Sequence, residues 1–290
     1  MTGDRLSLRL RARRILMALD PLLARTGLGV RAWRAWEAAL AGSGRFRTHA
    51  TRASGLAVPP TALRVRVIGN ADVELFLSSG KADAAILAQT CAAHDLPIEA
   101  AGRLLDFGCG CGRVTRHWHT QANVEVHGTD HDADLVAWMR TGLPFVRAHM
   151  NALSPPLPHP DDHFGVVYAL SVFTHMTDEL SRSWMLELER VIRPGGLLLL
   201  SALDDRRVDR LRPAERDAFH RGEPVVQFEA ALGTNMCVAF HPRAYIEAIS
   251  PGFDVLSARP IGPQVLYVLR SKPPGAQAPR SGCATGRTDR

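Results

Sequence analysis

The sequence predicts an α/β fold: a mostly parallel sheet with helices on both faces, closed by an antiparallel hairpin. Three observations lead there. Between residues 103 and 200, short apolar runs alternate with segments of helical spacing, the pattern of a parallel sheet whose crossovers are helices. The first run leads into three glycines at alternate positions, LLDFGCGCGRV, where a backbone turns sharply or is approached closely. Towards the end, FDVLSA and QVLYVL have too few residues between them for a crossover helix, so they pair as a hairpin.

Taken in order, Arg103–Phe107 is the first strand and a helix is expected from about Gly112 to His119. Val124–Thr129 is the second strand and Ala133–Arg140 the helix that follows it. Phe145–His149 and Phe164–Leu170 are the third and fourth strands. Asp178–Ile192 repeats Leu180, Trp184, Leu188 and Val191 at helical intervals, and after RPGG comes the fully apolar strand Leu197–Leu200. Upstream, residues 5–24 and 30–41 have helical spacing, divided by Pro21 and the Gly27/Gly29 pair. Gly42–Pro60 is a polar connector, and SKPPGAQAPRSGCATGRTDR lacks apolar periodicity, as a disordered tail does. The expected organisation is an Arg-rich helical extension over 1–59, a main α/β domain over 60–271 and a tail over 272–290.

Composition narrows the class. With 46% hydrophobic and 22% charged residues, 290 residues can bury a large core. No apolar run approaches the roughly 20 residues that span a bilayer, and Asp20 and Pro21 interrupt ILMALDPLLA. A cytoplasmic protein is expected. Five cysteines form no C-x-x-C pair, which argues against a disulfide framework or a structural zinc site. Of the net charge of +6, residues 1–50 contribute +7, ten arginines against Asp4, Asp20 and Glu37. Residues 270–290 contribute +4, which leaves the middle at −5. A cleft for nucleic acid would be basic, so that class is disfavoured. The arginines of the extension favour either a helix packed on the domain or a weak contact with anionic lipid. Nothing in the sequence sets an oligomeric state.

The glycine turn indicates the ligand. Gly108, Gly110 and Gly112 tolerate positive φ and keep β-carbons out of the way, and a helix starting there would offer free N–H groups and a positive dipole end. Asp130, at the end of the next strand, stands where a carboxylate accepts ribose hydroxyls. A dinucleotide turn wants G-x-G-x-x-G/A, but the sixth position is Arg113, so a nicotinamide-dependent oxidoreductase is disfavoured. Asp106 suits a ligand carrying ammonium or sulfonium charge, and S-adenosylmethionine carries both.

From about Leu63 to Leu269 the chain resembles the class I S-adenosylmethionine-dependent methyltransferases. LLDFGCGCGRV matches their first motif and VHGTDHDADLV the ribose-binding strand end. NALSPPLPHPDDHFGVVYALSVFTHM and LERVIRPGGLLLLS are similar to the segments through the fourth and fifth strands. DFGCGCGRV, SVFTHM and FHPRAYIEAI resemble a bacterial branch of small methyltransferases. The resemblance implies a Rossmann-like sheet of seven strands. It also implies that Gly108, Cys109, Gly110 and Gly112 pack on the methionine portion, with Asp106 near its amino group. Asp130 takes the ribose, His131 lies beside the adenine, and Asn151 and Ala152 reach the adenine edge. Leu170 and Ser171 line the cleft towards a small-molecule or lipid-linked acceptor. The chain departs from the family where Asn151 replaces the frequent Asp, and where Gly165 replaces the Asp of a Phe-Asp pair.

Methyl transfer needs alignment more than acid–base chemistry, but an oxygen or nitrogen acceptor also gains from a general base. His175, just past the fourth strand, is the candidate; the plainer role for Thr174 and His175 is to cap the next helix or order the loop. No metal site is expected. His117 and His119 are two apart on one predicted helix, and Asp161, Asp162 and His163 fall in a Pro-rich solvated turn. Cys109 and Cys111 supply small side chains for close packing, and His220, His241 and Tyr245 are expected to be structural. A rival from another class is a non-catalytic module that binds the same cofactor.

Overall fold

The computed structural model describes residues 52–273, together with Ala35, Ala38 and Ala39, which are helical. The expected helices at 5–24 and 30–41, apart from those three alanines, and the tail beyond 273 lie outside the described residues. Seven strands form the central sheet: β1 (Arg103–Phe107), β2 (Glu125–Asp130), β3 (Val146–Met150), β4 (Phe164–Ala169), β5 (Ile192–Ala202), β6 (Phe253–Ile261) and β7 (Gln264–Ser271). Their order is β6-β7-β5-β4-β1-β2-β3. β1 to β5 are mutually parallel, and β7 runs antiparallel between β5 and β6. The predicted hairpin is therefore present, and it adds itself to the sheet beside β5.

Apolar runs became central strands because both of their faces are covered. Leu197 to Leu200 of β5 are all fully buried, two pointing into each of the two cores. One core is closed by α2 (Val73–Ala93) and α3 (Ala133–Gly142), the other by α4 (Asp178–Val191) and α6 (Arg243–Ala248). α1 (Thr61–Ile68) lies over the end of β1, and α5 (Pro213–His220) belongs to a small outer layer. The helices start where the sequence supplies acceptors for their free N–H groups. Asp72 caps α2, Asp132 caps α3 and Thr177 caps α4, each cap adding about 1 kcal/mol. Thr177, not Thr174 or His175, is therefore the cap of α4.

The helix expected over Gly112–His119 is only a 3-10 turn, Thr115–Trp118. The glycines hold positive φ as far as Gly112, which delays any right-handed coil. The side chains that follow then bond away from a helix axis: Thr115 to Asp106, Arg116 to the Ala57 carbonyl and Trp118 to Tyr168. The β3–β4 crossover, residues 151–163, has no helix, in keeping with the Pro-rich loop read there. Its backbone groups are met by α4 instead. Trp184 donates to the Leu153 carbonyl, Glu187 accepts from Leu157 N–H, and Arg190 donates to the His159 carbonyl. Gly165, where an Asp was expected, lies against the Ala101 carbonyl with no room for a β-carbon. Among the described residues, no helix is long and apolar enough to cross a membrane.

Candidate functional site

The strand order reverses between β1 and β4, so their C-terminal ends open a crevice of the kind that receives ligands in open α/β sheets. The glycine turn fills one side of it. Gly110 has φ of +55° and its α-carbon faces Val67 of α1, whose Cγ2 would lie 2.8 Å from an added β-carbon. At Gly108 the corresponding space is taken by Val172, just past β4. The missing β-carbons thus admit the protein's own side chains, a use that the sequence reading did not foresee.

The turn is bound to the end of β2. Gly108 and Cys109 N–H donate to the Thr129 carbonyl at 2.8 and 2.9 Å, and Gly110 N–H donates to Asp130 Oδ2 at 2.8 Å. Asp130 Oδ1 accepts from Asp132 N–H at 2.9 Å. With no α-helix starting here, the expected helix dipole is absent, and the amides of Gly108, Cys109 and Gly110 point at the end of β2. Asp130 is nearly buried, and burial raises its pKa above the usual carboxylate value. Each of its oxygens keeps a further lone pair beyond these bonds.

Asn151 follows β3 directly, and its N–H donates to the Asp130 carbonyl at 3.1 Å. Its Nδ2 donates to the Ala152 carbonyl at 2.7 Å, which leaves Oδ1 buried without a partner. His131 Nδ1 is 3.5 Å from Asp130, and its Nε2 meets the Gly233 carbonyl at 3.1 Å. Ala152 is exposed and Leu170 half-buried. Ser171 has φ of +60°, a conformation that costs about 1–3 kcal/mol in a residue other than glycine. A closed set of bonds holds it there: its N–H donates to Ser201 Oγ, Ser201 donates to Gln264, and Gln264 donates back to Ser171 Oγ, at 2.6–2.7 Å.

Asp106 lies beneath the turn, its Oδ2 accepting from Thr115 Oγ1 at 2.5 Å and Tyr168 Oη at 2.8 Å. Burial raises its pKa to about 6. Tyr168 was missed in the sequence, although a hydroxyl inside the apolar run FGVVYA was a usable signal. His175 sits on the 3-10 turn Phe173–His175, half-buried, with Nδ1 2.6 Å from the Cys237 carbonyl. Donating to a carbonyl puts the proton on Nδ1, so the neutral ring carries its lone pair on Nε2. Cys109 and Cys111 are buried, and burial pushes both thiols up, which fits packing rather than nucleophilic chemistry. His241 is buried and stacked on Tyr245, whose hydroxyl donates to Asp178. Both belong to the core, as expected.

The site thus brings together Gly108–Gly112, Asp130, Asn151 and Ser171. Residues 104–196, which carry all of them, match the family model described as methyltransferase domain. Over those residues the chain is similar to that methyltransferase domain. It is 35% identical over 114 residues to 27-O-demethylrifamycin SV methyltransferase of Amycolatopsis mediterranei, covering 36% of this chain and 40% of that one. It is 29% identical over 180 residues to malonyl-[acyl-carrier protein] O-methyltransferase of Pectobacterium atrosepticum, covering 61% and 64%. The chain therefore spans less than two thirds of the length of these relatives. In fold, the methyltransferase domain is similar to the solved 1,6-didemethyltoxoflavin-N1-methyltransferase of Burkholderia thailandensis, with a TM-score of 0.51 and 14% identity, over 72% of this chain and 84% of that one.

Proposed function

We propose that the chain is an S-adenosylmethionine-dependent methyltransferase that moves a methyl group to a small-molecule or lipid-linked acceptor by in-line displacement. The observation that carries this reading is the union at the switch point of the glycine turn, Asp130 and the unpartnered Asn151 Oδ1. A buried amide oxygen without a donor matches the exocyclic amine of an adenine. The spare lone pairs of Asp130 match a ribose diol, and its charge is already supported by Gly110 and Asp132. These residues fit the cofactor.

When bound, S-adenosylmethionine supplies a methyl group on a positively charged sulfur. The remaining work falls to the chain. Asp130, Asn151 and the turn hold and orient, and alignment of this kind lowers a barrier by about 7–11 kcal/mol. His175, on the 3-10 turn just past β4, is the candidate base for the proton of the acceptor. An oxygen acceptor is favoured by the names of both relatives, each of which denotes transfer to oxygen. Leu170 and Ser171 continue the crevice from the turn towards that acceptor.

The test pairs calorimetry with turnover. S-adenosylhomocysteine is expected to bind with one-to-one stoichiometry, and NADH to give no heat. A screen of metabolite fractions with labelled methyl donor is expected to yield S-adenosylhomocysteine together with a labelled product. Binding of NADH alone would overturn the reading. Binding of S-adenosylhomocysteine with no product from any fraction would replace the enzyme by a non-catalytic binding module.

A further inference from the structure

A second group of side chains lies on the α4 face of the sheet, away from the glycine turn. His127 comes from the middle of β2, His149 from β3, and His159 and His163 from the β3–β4 loop. The rings of His127 and His159 are 5.3 Å apart, His127 and His163 5.6 Å, and His159 and His163 5.5 Å. His149 lies 5.3 Å from His159. One ring nitrogen each from His127, His159 and His163 falls within 4.8 Å of the other two. We propose that His127, His159 and His163 bind a divalent first-row transition ion, zinc for preference, which ties the β3–β4 loop to the edge of the sheet.

The hydrogen bonding supports this. His127 Nδ1, His159 Nε2 and His149 Nδ1 are buried atoms without a hydrogen-bond partner. Buried polar atoms are almost always satisfied, so several orphan nitrogens in one cluster call for a shared partner. The opposite nitrogen of His127, Nε2, is 2.6 Å from Glu125 Oε1. A carboxylate behind a ligating histidine sets its tautomer and turns the free lone pair to the ion. Here that places the lone pair on Nδ1, the orphan. Zinc bound by imidazole has Zn–N bonds of about 2.0–2.1 Å, so tetrahedral ligand nitrogens lie about 3.4 Å apart, and the rings, whose nitrogens lie within 4.8 Å of one another, close inwards to bind it. His149 is placed to complete the set, or a water to do so.

Donor chemistry selects the class of ion. An all-nitrogen set of neutral imidazoles suits zinc, copper or nickel and not the oxygen-loving calcium or magnesium. Arg103 and Arg147 also line the open cleft beside the cluster, and both face Glu125, at 3.9 and 3.1 Å. Arg190, near His159, is paired with Glu187 and Asp161. The cationic groups around the cluster thus have carboxylate partners. The structural reason for an ion lies in the loop, which has no helix of its own and is anchored to α4 on one side. An ion would anchor its other side to β2.

The experiment uses the untagged full-length chain, stripped with chelator and checked for residual metal by mass spectrometry. Zinc titrated by calorimetry is expected to saturate at one equivalent, and cobalt(II) to give the strong visible absorption of a tetrahedral site. His159→Gln and His163→Gln, checked by circular dichroism, are expected to weaken zinc binding at least tenfold and abolish the cobalt bands. Glu125→Gln is expected to cost about 10–100-fold, the effect of an outer-sphere partner. Absence of saturable zinc binding would overturn the proposal, as would unchanged affinity in His159→Gln/His163→Gln. So would a cleft that takes inorganic phosphate and not zinc. S-adenosylhomocysteine binding is measured in parallel, so that failure here is separate from failure of the proposed activity.

Discussion

Strand β2 bears two polar sites that differ in how they treat their own atoms. Asp130 stands at its tip, and His127 three residues back, about 10 Å along the strand and on the opposite face. At the tip, the cradle is largely bonded to itself before any ligand arrives: Gly108 and Cys109 N–H bond to Thr129, Gly110 N–H to Asp130, and Asp130 in turn accepts from Asp132, while Asn151 Oδ1 keeps no partner. Around His127, ring nitrogens on three histidines are buried without partners. The difference follows from the ligand each site suits. A nucleoside offers its own donors to spare lone pairs, so internal bonds can pre-form the cradle. A metal ion needs the lone pair itself, so no hydrogen may occupy it.

The largest expected effect separates holding from chemistry at the tip. With an accepted substrate in hand, His175→Ala should lower turnover by about 10²–10⁴-fold and leave S-adenosylhomocysteine affinity unaltered. A parallel fall in affinity would show that the residue orders the loop instead. Next, Asp130→Ala removes two charge-assisted bonds of about 1.5–3 kcal/mol each. S-adenosylhomocysteine affinity should fall by about a hundredfold or more in calorimetry, while zinc affinity stays within error. The crossed variant, His159→Gln, should do the reverse. If both ligands weaken together in either variant, the two sites are not independent and the comparison breaks.

A smaller effect is expected at Asn151. Asn151→Leu loses the orphan oxygen and should weaken S-adenosylhomocysteine by about tenfold, the worth of one ordinary hydrogen bond. Asn151→Asp keeps an acceptor in place and should bind within about threefold of the parent. The smallest effect concerns pH. The folded pKa of Asp106, about 6, lies above its ordinary 3.8. The fold therefore prefers the protonated carboxyl, and the stability this adds is complete below about pH 4 and lost as pH climbs through about 6. Thermal unfolding of the parent should decline over that window, and Asp106→Asn should flatten the decline.

Much of the tip could be read from the chain. LLDFGCGCGRV is contiguous, and Asp130 follows at the spacing of one strand and its turn, so periodicity and motif sufficed. The helix predicted after Gly112 was not there, because bonds from Thr115, Arg116 and Trp118 to distant partners outweighed local spacing. Reading Asp161, Asp162 and His163 as one solvated turn was correct for the two exposed aspartates. It missed His163, whose ring stacks on His159. Positions 127, 149, 159 and 163 share no spacing rule, since two come from neighbouring strands and two from an irregular loop.

Alternating apolar runs, three glycines and a strand-end aspartate were enough to determine a doubly wound sheet and the place of its crevice, because burial periodicity and positive φ are properties of neighbouring residues. Which lone pairs are spent and which are left bare was decided only in three dimensions. Val67 against Gly110, Gly110 on Asp130 and the loop histidines over His127 are meetings between segments far apart in sequence. A hydrogen bond depends on fractions of an ångström between such segments, and no local pattern encodes that distance.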